Sequence, residues 1–133
     1  MMFKCNSSRG SLGCKSGELD LCVYKGDSFK EEVHWVEDVN GKEVPKRLRG
    51  YSAVMKFISA HNTKNELVLQ LESPTGIFLD NNRIIVNIPY QVVDNFNWTK
   101  SNYKLVMISP TGLKQTILEG RFTVIGSSPA CCQ

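Results

Sequence analysis

The sequence holds no apolar run approaching the ~20 residues that a membrane-crossing helix needs, so no membrane contact is expected. Its start, MMFKCNSSRG, lacks the apolar segment of a secretory signal, and the expectation is a protein made and kept in a cytoplasm until something releases it. No C-x-x-C pair occurs among its five cysteines, and their number is odd. A zinc site built from Cys5, Cys14, Cys131 and Cys132 would require the two termini to meet and lacks the usual close ligand pairs. The plainer reading is reduced thiols with Cys22 as a small core residue, while disulfides among the terminal cysteines stay open if the protein ends up outside a cell.

Histidine is nearly missing too, with two in the chain. His34 lies between Val33 and Trp35 on a strand face and His61 in a polar loop, and neither belongs to a nucleophile, base or metal pattern. There is no H-E-x-x-H, G-x-S-x-G, Walker loop or G-x-G-x-x-G, so neither an enzyme nor a cofactor is expected. One Asp among the asparagines of Asp80-Asn81-Asn82 supplies too few ligands for calcium. A surplus of one charge sign is lacking as well. The net charge is +3, and the charges are scattered, which leaves no electrostatic footprint for nucleic acid.

What is present is an ordinary globular composition, 41% hydrophobic and 22% charged over 133 residues. That length fits one domain and buries about two-thirds of its unfolded surface, enough for one two-layer core. Gly26 to Phe57 organises it. Phe29, Glu31, Val33 and Trp35 share one face of a strand because side chains alternate with period two. Asp38-Val39-Asn40-Gly41 supplies a tight hairpin turn, since Asn and Gly tolerate positive φ. Tyr51, Ala53, Met55 and Phe57 then share a face of a second strand. Pro45, which cannot donate to a ladder, makes Val44–Leu48 an edge or a crossover.

Further strands are expected at Leu19–Tyr24, Glu66–Glu72, Ile77–Leu79, Arg83–Ile88, Ser101–Ser109 and Lys114–Ile125. In the last of these Thr116, Leu118, Phe122 and Val124 share a face and Gly120 marks a bulge. Leu67, Leu69 and Leu71 point inward. Ser73-Pro74-Thr75-Gly76 and Ser109-Pro110-Thr111-Gly112 fit type I turns. Pro89–Asn97 breaks the alternation and suggests one helical turn that changes sheets.

Some seven or eight strands punctuated by turns every 8–12 residues indicate an all-β, Ig-like antiparallel sandwich with one short helical crossover. The domain spans residues 18–126, between an N-terminal arm, 1–17, and a tail, 127–133. Phe29, Val33, Trp35, Tyr51, Met55, Tyr103 and Phe122 define the expected core. The arm and tail, with Cys5, Arg9, Cys14, Cys131 and Cys132, are candidate interface, and Trp98 either lines an interface or caps the open end of the sandwich.

These residues carry a resemblance. The run G-D-S-F-K-E-E-V-H-W-V-E-D-V-N-G-K-E-V-P, then L-R-G-Y-S-A-V-M-K-F, and the closing E-G-R-F-T-V-I resemble small virion proteins of tailed bacteriophages. In those a "G-D/A-T/S-F … W … D … G-x-P-V … L-T-G-Y-T-A-x-M" pattern opens a β-sandwich and an "E-G-x-x-T-V" strand closes it. Gly26, Phe29, Trp35, Gly41, Gly50, Tyr51, Ala53, Met55, Glu119, Gly120, Thr123 and Val124 occupy the matching positions. Here L-R-G-Y replaces L-T-G-Y, and Pro45 follows Val44 instead of preceding it. The resemblance spans roughly Leu19 to Ile125. It implies a tail collar or long-tail-fibre connector assembled in the host cytoplasm and located in the virion. It also implies a homo-oligomeric ring whose partners are tail tube, neck or fibre proteins. A capsid cement protein and a host-surface adhesin are the alternatives.

Overall fold

The computed structural model of the chain describes residues 2–7, 17–60 and 66–126. They form strands β1 (Met2–Ser7), β2 (Gly17–Glu18), β3 (Leu21–Tyr24), β4 (Phe29–Val39), β5 (Lys42–Pro45), β6 (Ser52–Ser59), β7 (Leu67–Glu72), β8 (Ile77–Asp80) and β9 (Arg83–Ile88), helix α1 (Tyr90–Asp94), then β10 (Lys100–Ile108) and β11 (Lys114–Ile125). One sheet runs β1-β4-β9-β8, with β5 also on β4; the other runs β2-β11-β10-β6-β7, with β3 also on β11. With β4-β9-β8 in one layer and β11-β10-β6 in the other, the strand order is that of an Ig-like sandwich, as expected. Pairing is antiparallel throughout except that β2 and β3 run parallel to β11.

Local chemistry sets the connections. Asn40 and Gly41 both take positive φ, 53° and 82°, which matches the twist of the β4–β5 hairpin to its flanking strands. Pro89 opens α1 with φ −63°, and Val93 and Phe96 turn inward as the chain passes from β9 in one sheet to β10 in the other. Alternation does the rest: Phe29, Val33 and Trp35 of β4, Met55 and Phe57 of β6, Tyr103, Leu105 and Met107 of β10, and Phe122 of β11 are all buried in one cluster. Phe29 and Phe57 each meet the Phe122 ring edge-on at 5.1 Å. Tyr51 is half-buried, with its ring centroid 5.9 Å from Trp35. Trp98 is 7% exposed and stacks on Phe96 at 4.5 Å, closing the end of the core beside α1.

Several expectations need correction. Part of the N-terminal arm is sheet: β1 pairs antiparallel with β4, from Met2 opposite Val36 to Ser7 opposite Glu31. The bulge in β11 falls at Ile117, because Leu105 pairs with Leu118 and Val106 with Thr116. Ile117 and Leu118 both point inward there, and Thr116 is left outside. Gly120 is required for a different reason. A Cβ there would stand 2.2 Å from the Leu19 carbonyl oxygen, so only glycine lets the incoming chain lie against β11. A second slip pairs Phe57 with Leu69 and Ile58 with Leu67, which turns Leu67 out to 49% exposure. The Ser73–Pro74 bond is cis, and the turn hydrogen bond runs from Thr75 N–H to the Glu72 carbonyl at 2.8 Å instead of closing on Ser73. The second Pro-Thr-Gly turn closes as expected, Gly112 N–H donating to the Ser109 carbonyl at 2.9 Å.

Candidate interaction surfaces

A concavity lies on the outside of the second sheet. The outward faces of β11, β10, β6 and β7 form an open trough of about 940 Å³. Its floor alternates apolar and charged: half-buried Val54 and Ile58 on β6 and Val106 and Ile108 on β10 flank exposed Lys56 and Lys104. Lys56 and Lys104 are register partners and stand side by side. At the β2 edge of the trough lie Glu18, Asp20 and Glu119. Asp20 is held in place there, its Oδ1 accepting from Arg121 N–H at 2.9 Å.

Just inside that edge the Leu19 carbonyl accepts a hydrogen bond from the Tyr103 hydroxyl, so this buried phenol has a partner. Burial raises the Tyr103 pKa, and the negative charges of Asp20, Glu31 and Glu119 raise it further. Tyr103 is therefore a permanent donor. Glu31, on the inward face of β4, is itself only 3% exposed.

The outside of the first sheet carries an ion network. His34 Nε2 donates to Glu32 Oε2 at 2.7 Å, and the Arg83 guanidinium lies 3.4 Å from Glu32 Oε1. Arg83 also binds Asp80, so the carboxylate once weighed as a calcium ligand is engaged within the chain. The hydrogen bond from His34 comes first in holding the Glu32 carboxyl below its ordinary 4.5. The charges of His34, Arg83 and Lys30 add to it, against an opposing effect of burial.

Lys46, in the stretch after β5, ties the chain to an acid and to two rings. Its Nζ lies 3.1 Å from Glu37 Oε1 and 5.6 Å from the ring centroids of both Trp35 and Tyr51. Its neighbours Arg47 and Arg49 line a smaller hollow of about 200 Å³ with Leu48, Leu79 and Asn81.

Of the candidate interface residues, Cys5 lies on β1 opposite Val33, and Arg9, Cys14, Cys131 and Cys132 lie outside the described residues, as does His61. Trp98 is a core cap and not part of a surface. Cys22, expected as a free thiol, is disulfide-bonded and half-buried on β3. Among the described residues no group of His, Cys, Asp or Glu is placed to hold a metal ion.

Sequence reading missed the trough because its charged residues are isolated polar letters in four separate strands. Only the pairing register puts them next to one another. No family model matches the chain, and no curated protein matches it.

Proposed function

We propose that the protein is a structural subunit of a tailed-bacteriophage virion, a collar or fibre-connector whose copies form a ring round the tail or neck and anchor fibres or adaptors. It acts by holding other proteins, without catalysis. One observation carries the reading: ten of the twelve residues shared with the phage pattern are those on which this fold depends, Glu119 and Thr123 being the exceptions. Gly26, Gly41 and Gly50 take φ of 95°, 82° and 83°, which side-chain-bearing residues rarely adopt. Phe29, Trp35, Ala53 and Met55 are buried together, with Tyr51 packed on their cluster. In the closing strand Gly120 admits the Leu19 carbonyl and Val124 is buried.

Edge strands suit such a role. β1 and β8 border the first sheet and β7 borders the second, each able to extend its ladder with a neighbour's strand. A ring would place successive copies head to tail. Electron cryomicroscopy of the particle, with the subunit tagged after residue 126, tests the proposal. Density for the tag at the tail or neck in a cyclic array is the expected result. Tag density spread over the head lattice would replace the collar with capsid cement, and its absence from purified particles would end the virion reading.

A further inference from the structure

One row of residues crosses the trough from edge to edge. Glu18 on β2 pairs in register with Glu119 on β11, Glu119 with Lys104 on β10, Lys104 with Lys56 on β6, and Lys56 with Gln70 on β7. All five are exposed and line the same trough. Read across the sheet, the charges run minus, minus, plus, plus. Like charges directly opposite one another are unfavourable, and the row contains two such pairs, Glu18–Glu119 and Lys104–Lys56, on either side of the opposite-sign pair Glu119–Lys104. None of the four charged residues forms an ion pair among the described residues.

The pattern is antisymmetric about the line between β10 and β11. We propose that this face binds a second copy of the chain, with a two-fold axis lying along that line. A half-turn about it lays Lys104 over the partner's Glu119 and Lys56 over the partner's Glu18, and each of these contacts occurs twice. In the neighbouring rows Val106 meets the partner's Thr116 and Ile108 meets the stem of the partner's Lys114, since these are register pairs too. The charges select the axis. Placed between β10 and β6 instead, it would set lysine on lysine. A purely acidic partner would suit Lys56 and Lys104 but would be repelled by Glu18 and Glu119, whereas a second copy supplies both signs.

Size agrees with a modest interface. The four strands that the axis lays over one another, β2, β11, β10 and β6, each about 4.8 Å wide, and the nine residues of β10 at about 3.3 Å each give an overlap of roughly 20 by 30 Å. That lies toward the lower end of specific interfaces and fits a reversible, micromolar-class dimer. The pairing does not rest on the virion reading, since it follows from this sheet's register alone.

Sedimentation equilibrium and native mass spectrometry of the full chain test it with the variants Lys104→Glu and Glu119→Lys. Wild type is expected to dimerise, more tightly at low salt. Each variant alone replaces both of its cross-chain attractions by repulsions and raises the dimer Kd by about tenfold or more. An equimolar mixture of the two variants is expected to restore dimer near the wild-type Kd, as a mixed species, because every opposed pair then carries opposite signs again. This restoration separates the contact across chains from the Lys104–Glu119 neighbour contact within one chain, which mixing cannot repair. Lys56→Glu with Glu18→Lys repeats the design at a second pair, and far-UV circular dichroism checks folding of all four variants. A wild type that stays monomeric at millimolar concentration, single variants that dimerise like wild type, or a mixture that does not recover would each overturn the pairing. Binding of polyglutamate by a wild-type monomer, lost in Lys56→Glu, would assign the face to an acidic partner instead.

Discussion

Replacing Gly120 by alanine tests how the N-terminal segment is joined to the sandwich. Gly120 does not adopt positive φ, so backbone entropy alone would favour Gly120→Ala by about 0.4–1 kcal/mol. Sterics oppose it. The new Cβ would lie 2.2 Å from the Leu19 oxygen, 2.8 Å from the Leu19 carbonyl carbon and 3.1 Å from Asp20 Oδ1. Ordinary contact needs a retreat of roughly 1 Å, and rigid backbone has to make it. That backbone is fixed by Leu19 N–H donating to Glu119 at 3.0 Å and by Asp20 Oδ1 accepting from Arg121 at 2.9 Å. Leu19 is itself core, 6% exposed, and its carbonyl serves Tyr103. Overpacking costs about 1–3 kcal/mol and each weakened hydrogen bond about 0.5–1.5, so the net loss is about 2–4 kcal/mol after the entropic gain. For a domain of this size that lowers Tm by roughly 10 °C. Urea and thermal unfolding followed by circular dichroism give the value, and Gly126→Ala, which meets nothing within 4 Å, serves as the control. If Gly120→Ala lies within about 1 kcal/mol of wild type, the close approach of Leu19 is not a feature of the folded protein.

Lys46→Met removes the ion pair to Glu37 and the cation over Trp35 and Tyr51, and is expected to cost about 1 kcal/mol and to shift tryptophan fluorescence. Trp98→Ala is expected to cost about 3–5 kcal/mol in urea titrations, as for a core residue, where a surface position would lose almost nothing. Glu32 has its folded pKa depressed below 4.5, so its contribution is full above the unfolded pKa and is lost as pH falls through the folded value. Acid titration of stability should therefore show a loss below about pH 4.5 that shrinks in Glu32→Gln and in His34→Ala. Reducing the Cys22 disulfide is expected to lower stability by about 2–4 kcal/mol, read as a drop in Tm on adding reductant.

The sandwich was legible in the sequence wherever two-residue alternation ran uninterrupted. Val33, Trp35, Met55, Tyr103 and Phe122 needed no tertiary information to be placed inside. Thr116 and Leu67 were misassigned because each lies across a ladder slip from the rest of its strand, where one extra residue inverts the facing, and nothing local marks where a ladder slips. Gly120 was read as a bulge, whereas its cause, a carbonyl brought in from Leu19, is a contact distant in sequence. β1 was invisible because its pairing to β4 is a tertiary choice that six residues, next to a long polar stretch, are too short to announce. The same limit hid the charge row, whose members are spread from Glu18 to Glu119 and become neighbours only through register.

The direction in which β3 and β11 run has a mechanical corollary. Because they are parallel, a pull entering at Leu21 and leaving at Ile125 acts on opposite ends of one ladder, so the rungs from Leu21–Phe122 to Tyr24–Ile125 are strained together in shear. An antiparallel pair pulled at one end would part rung by rung, like a zip. A domain pulled between these two points would thus stay rigid under tension and yield in a single abrupt step.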